Sequence, residues 1–147
     1  MAHSRIRPLV LGLFRHQGRI LVAEGYDPLK EQSFYRPLGG AIEFGEYSQQ
    51  ALEREIQEEL GQAITNLRYL FTLENLFVFN GKPGHEIVLV YDADFCDPSL
   101  YAQPHLNGIE DDDAGGFTAR WLDLAFWAGA EAPPLYPHGL LERLAHT

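Results

Sequence analysis

Bases are scarce in this chain: 11 lysines and arginines stand against 21 acids, for a formal net charge of -10. Duplex binding depends on neutralising phosphates with Lys and Arg, so polymeric nucleic acid is not an expected partner. A single cysteine, Cys96, excludes an intramolecular disulfide and suits a reducing compartment. In its apolar, strand-like setting Cys96 reads as a small buried hydrophobe rather than a nucleophile. No run approaches the ~20 apolar residues of a membrane span. The stretch Pro8 to Phe14 is closed by Arg15 and His16, alternates like a strand and lacks a small-residue cleavage site. A soluble, cytoplasmic protein with no membrane partner is the expectation. Internal repeats, low-complexity tracts and long linkers are missing too. The six histidines are scattered without ligand spacing and read as surface residues; only His85, beside Glu86, invites a test.

What is present suits one domain spanning 1–147. A chain near this length buries roughly 68–70% of its unfolded surface and needs no staples. Residues 5–15 and 19–24 read as strands joined at His16-Gln17-Gly18, and residues 25–34 as a loop. An extended piece, Phe34 to Gly40, ends in paired glycines. Residues 48–60 read as a helix with Ser48 as N-cap and Gly61 in the C′ position. Strands at 66–79 and 86–95 follow, linked by Asn80-Gly81-Lys82-Pro83-Gly84. A polar loop at 97–116 carries the acidic run Glu110-Asp111-Asp112-Asp113. A strand at 117–122, with Trp121 as a core anchor, precedes a closing helix at about 138–145. Hairpins mixed with helices of different lengths imply an α/β fold with a mixed sheet flanked by helices.

The helix is the unusual element. At about 100° per residue, Leu52, Ile56 and Leu60 form its core-facing stripe. Glu55 and Glu59 fall at the edge of that stripe, with Glu58 on the far side of Glu55. Like charges at these spacings cost roughly 0.2–0.5 kcal/mol per pair. Acids in the last turns also oppose the helix dipole, by about 0.3–1 kcal/mol each. Arg54 is the helix's only base. A face made for solubility would alternate signs. A hard divalent cation turns the liability into a site, because Mg²⁺ takes oxygen ligands. Such an ion would also let this acidic surface accept a phosphorylated substrate.

Gly40-x5-Glu46-x7-Arg54-Glu55-Ile56-x-Glu58-Glu59-x-Gly61 resembles the Nudix box, G-x5-E-x7-R-E-U-x-E-E-x-G-U with U aliphatic. The one departure is Gln62, where an aliphatic residue is expected. Seven fixed residue types at about one in twenty each put chance occurrence on the order of 10⁻⁹ per window. The resemblance implies a Nudix-type α/β/α sandwich and a magnesium- or manganese-dependent hydrolase. The implied substrate is a small nucleoside diphosphate linked to another group: a dinucleoside polyphosphate, a nucleotide sugar such as ADP-ribose, or a nucleoside triphosphate.

It also implies roles. Glu55, Glu58 and Glu59, with the carbonyl of Gly40, would hold the metal, and Arg54 and Glu46 would position them. The general base stays open between a box glutamate and Glu86, Glu110, Asp111 or Asp112. Arg36, Tyr35 and Glu86 are candidates for substrate binding, and Tyr26, Phe34 and Tyr35 flank the expected cleft. A homodimer is common among similar proteins. Two rival readings are an inactive nucleotide sensor on the same fold and an isomerase. The intact carboxylates count against the first, and the lack of a placed cysteine or acid against the second.

Overall fold

The computed structural model describes residues 4–109 and 116–146. Its strands are β1 (Ile6–Leu13), β2 (Arg15–His16), β3 (Arg19–Asp27), β4 (Gln32–Ala41), β5 (Ile64–Phe79), β6 (Lys82–Phe95), β7 (His105–Ile109) and β8 (Gly116–Asp123). The helices are α1 (Ser48–Leu60) and α2 (Leu140–Leu144), with short 3₁₀ turns at Pro98–Ala102 and Leu124–Trp127. Seven strands pair in the order β5-β6-β1-β4-β3-β8-β7, and β2 pairs with β3. Among the strand pairs of the described residues only β1 and β6 run parallel, so the sheet is mixed as expected.

Strand alternation splits the core in two. Val10 of β1 and Phe14, just past its end, join Leu21, Leu38, Trp121 and the α1 residues Ala51, Leu52 and Ile56. Leu9, Leu11 and Leu13 join Ile20, Val22, Val88, Val90 and the α2 residues Leu140 and Leu144 on the other face. Successive strand side chains point to opposite faces, so one helix covers each side. Gly12 brings α1 close, since a Cβ there would stand 3.3 Å from both Leu52 methyls. No helix among the described residues is long and apolar enough to cross a membrane.

Helix α1 has the expected length, but its N-cap is Tyr47, in extended geometry, and not Ser48. The Tyr47 N–H donates to Gln50 Oε1 at 2.9 Å, while the Ser48 hydroxyl is engaged with the Tyr91 hydroxyl at 2.5 Å. Gly61 ends the helix as expected, left-handed at φ 66°.

Most of the segment expected as a loop at 25–34 is strand. Gly25 pairs with Phe34 and Tyr26 with Ser33, leaving only 28–31 as a turn. Asp27 organises that turn by accepting from the Leu29 and Lys30 N–H groups at 3.0 and 3.2 Å. It also accepts from Asn80 N–H at 3.1 Å, tying the β3–β4 tip to the β5–β6 tip. The β5–β6 turn itself is tighter than expected, with Asn80 and Gly81 at φ 50° and 79°.

Three further expectations are revised. The segment expected to be a polar loop holds β7, whose Leu106 and Gly108 are buried. The closing helix shrinks to five residues because Pro137 and the left-handed Gly139 delay its start. Cys96 is exposed, because β6 stops at Phe95 and the chain turns away with its N–H on Ala63 O.

Candidate active site

Helix α1 sets its acidic edge over the end of β4. Glu55 is 6% exposed, and its carboxylate rests directly on Gly40. A Cβ at Gly40 would stand 2.5 Å from Oε1 and 2.6 Å from Oε2, so no other residue leaves room for the carboxylate. Gly40 is held in register by its pairing with Val10. The close approach therefore follows from the sheet.

Arg54 is the hub of the acidic cluster. Its Nε and Nη2 donate to the two oxygens of Glu46 at 2.7 and 3.0 Å, a bidentate bond. Nη2 also donates to the Ala41 carbonyl at 3.0 Å. Nη1 donates to Glu55 and to Glu58, each at 3.1 Å, and lies 3.7 Å from Glu43. The Arg54 bond, with the Glu43 N–H, holds the Glu46 carboxyl below its usual range. The same Glu46 bond raises the pKa of the Arg54 guanidinium, against the cost of its burial.

The three carboxylates divide unequally. Glu58 lies outermost, with its side chain 41% exposed. Glu59 lines a cavity of about 270 Å³ with Phe34, Arg36, Leu38, Gly39 and Phe117. Among the described residues no three His, Cys, Asp or Glu side chains already converge as a ligand group. The expected convergence is thus looser than the helical wheel implied, because one guanidinium is inserted between Glu55 and Glu58. The donor set still fits a hard cation. It supplies carboxylate oxygens at helical spacing and a glycine seat that holds one of them against the β4 backbone.

Two expected substrate residues lie elsewhere. Tyr35 packs on the α2 face, its ring 5.4 Å from Phe126 and 6.0 Å from Trp127. Burial, then the neighbouring Glu24, push its phenol up, so it stays protonated. Glu86 is 4% exposed and shares the face of Val88 and Val90; Asn75 donates to it at 3.3 Å, and Arg7 lies 3.9 Å away. Both miss the Glu59 cavity because strand parity turns them to the opposite side. Phe34 and Arg36, of the other parity on β4, line it. Glu110, Asp111 and Asp112 lie outside the described residues. Two contributors were not anticipated: Glu43, whose signal is its spacing of three from Glu46, and Phe117, whose place only the β3–β8 pairing reveals.

The family model of the NUDIX domain matches residues 3–135, which include all of this cluster. The chain belongs to the NUDIX family. The Nudix box is therefore the segment that carries Gly40, Glu46, Arg54, Glu55, Glu58 and Glu59, and the family is one of hydrolases. Among curated relatives, the NAD-capped RNA hydrolase NudC of Vibrio cholerae serotype O1 is 28% identical over 96% of this chain. The match covers 44% of that protein, so the chain spans under half the length of such relatives. Among solved structures, a MutT NUDIX hydrolase from Burkholderia pseudomallei superposes with a TM-score of 0.64 at 21% identity, covering 97% of this chain and 98% of that one. A NUDIX hydrolase from Nitrosomonas europaea gives 0.65 at 14% identity, over 96% and 87%. At such identities these structures speak for the fold.

Proposed function

We propose that this Nudix protein is a magnesium- or manganese-dependent pyrophosphohydrolase of small nucleotide derivatives. The observation that carries the reading is the Glu55 carboxylate seated on Gly40 while Arg54 grips Glu46, Glu55 and Glu58 together. Glu55, Glu58, Glu59 and the Gly40 carbonyl would hold the metal. A bound divalent ion offsets phosphate charge and makes a water more acidic.

The chain's own residues do the rest. Arg54, clamped by Glu46, orients Glu55 and Glu58 and limits the charge they present to a phosphate chain. Arg36 faces the same cavity as Glu59 and is placed to donate to a phosphate oxygen. Water attacks one phosphorus, the bridging P–O bond breaks, and two phosphorylated products leave. The proton goes to a box glutamate or to an acid of the 110–112 run. Tyr35 and Glu86 drop out of this mechanism because they face away.

The substrate class is a nucleoside diphosphate joined to a further group. Relatives named for NAD-capped RNA bring that polymer into the test, yet a net charge of -10 favours a free dinucleotide over an RNA body. The deciding assay is a panel of dinucleoside polyphosphates, nucleotide sugars, triphosphates, NAD and NAD-capped RNA. It is run with Mg²⁺ or Mn²⁺ beside Glu59→Gln. Metal-dependent release of mononucleotide, abolished in the variant, is the expected result. No turnover of any substrate would leave a binding module on a hydrolase fold.

A further inference from the structure

Three phenylalanines lie flat over glycines of the neighbouring strand. Phe34 faces Gly25, Phe77 faces Gly84 and Phe117 faces Gly108, each pair in direct register. A Cβ at Gly25 would stand 2.7 Å from Phe34 Cε2, and one at Gly108 would overlap the Phe117 ring. Rings can lie down across a strand only where the opposite residue has no side chain.

Two of these pairs share one row. The β3–β8 pairing ends at Ala23–Ala119. Continued by two residues, that register sets Gly25 beside Phe117. Phe34, Gly25, Phe117 and Gly108 then alternate across β4, β3, β8 and β7, all on the α1 face with Leu38, Ala23, Ala119 and Leu106. The result is a half-buried aromatic floor that faces the cavity. The same cavity of about 270 Å³ that contains Glu59 and Arg36 is bounded by Phe34, Gly25 and Phe117. Phe34 is braced from behind by edge contacts to Phe79 and Tyr136, with centroids at 5.9 and 5.5 Å.

We infer that Phe34 and Phe117, laid flat on Gly25 and Gly108, form the platform on which the nucleobase of the substrate stacks. The inference rests on the pyrophosphohydrolase reading and names its specificity side. Ring faces accept any base by stacking, so selectivity for a nucleotide half follows without a hydrogen-bond code. At about 270 Å³ the cavity falls just under the roughly 300–1,000 Å³ of small-ligand pockets, which suits one nucleoside half and not a whole dinucleotide. Arg36 on β4, two residues from Phe34 and on the same face, then meets the adjoining phosphate.

The test compares AMP, GMP, CMP and UMP with ribose 5-phosphate, by titration calorimetry on the full chain in Mg²⁺. Wild type should prefer the mononucleotides, and Phe117→Leu or Phe34→Leu should cut that preference by about 5- to 100-fold. Phe117→Tyr keeps the ring face and should retain the preference, which separates stacking from lost packing. Gly25→Ala, which keeps every aromatic residue but displaces the Phe34 ring, should act like Phe34→Leu. If both leucine variants fold and keep the wild-type ratio of mononucleotide to ribose 5-phosphate affinity, the platform is overturned. If wild type hydrolyses no pyrophosphate yet shows the ring-dependent preference, the platform stands and the hydrolytic reading falls.

Discussion

At the residue scale the site depends on charge placed against geometry. Glu55→Gln and Glu59→Gln remove an anionic donor without changing side-chain size. Both should lose roughly 10²–10⁴-fold in turnover, with far-UV circular dichroism and Tm essentially kept. Gly40→Ala should lower activity and Mg²⁺ affinity at least about tenfold, because the added methyl takes the space of the Glu55 carboxylate. Arg54→Lys retains the charge but loses the bidentate hold on Glu46 and most of the fan of bonds to Glu55, Glu58 and Ala41. A metal titration should show weakened affinity in this variant.

Glu46 makes the pH argument explicit. Its folded pKa is depressed below the ordinary 4.5 by the Arg54 bond. Its contribution to stability is therefore fully present above about 4.5 and is lost as pH falls through the lower folded value. Replacing Glu46 with Gln should flatten the decline of Tm below pH 4.5 and leave its slope near neutrality unchanged.

At the element scale, α1 is held by a narrow apolar stripe. Leu52 and Ile56 are fully buried, so Leu52→Ala should cost about 2–5 kcal/mol in a denaturant titration. Arg54 pairs with Glu55 and Glu58 while Glu55 and Glu59 repel each other at i,i+4, so Glu59→Gln should shift Tm little. The two hairpin tips depend on Asp27 in a different way. Burial opposes its charge, but the N–H groups of Asn80, Lys30 and Leu29 together hold its carboxyl below the ordinary range. Asp27→Ala should release the β5–β6 tip, seen as faster hydrogen exchange at Asn80 than in the centre of β5.

At the scale of the whole molecule, the sheet decides which residues meet. Hairpins mixed with helices gave the mixed sheet flanked by helices, and the periodicity of residues 48–60 marked the long helix with its glycine end. The box spacing fixed the composition of the acidic cluster, because helical geometry relates positions three and four apart without any tertiary information. Those parts are local. Pairing register is not local, so Tyr35, Glu86 and Phe117 were misplaced or missed. A shift of one residue along a strand moves a side chain to the other face, and nothing within the strand's own residues says which face the helix will cover. Likewise the loop expected at 25–34 became a hairpin, Gly25, Tyr26 and Asp27 pairing with Phe34, Ser33 and Gln32, and its tip is tied down by Asn80, which lies far outside it in sequence. The residues proposed to hold the ion were thus named from sequence alone. What stands beside them, Arg36 and the Phe34–Phe117 floor instead of Tyr35 and Glu86, was decided only when four strands came into register.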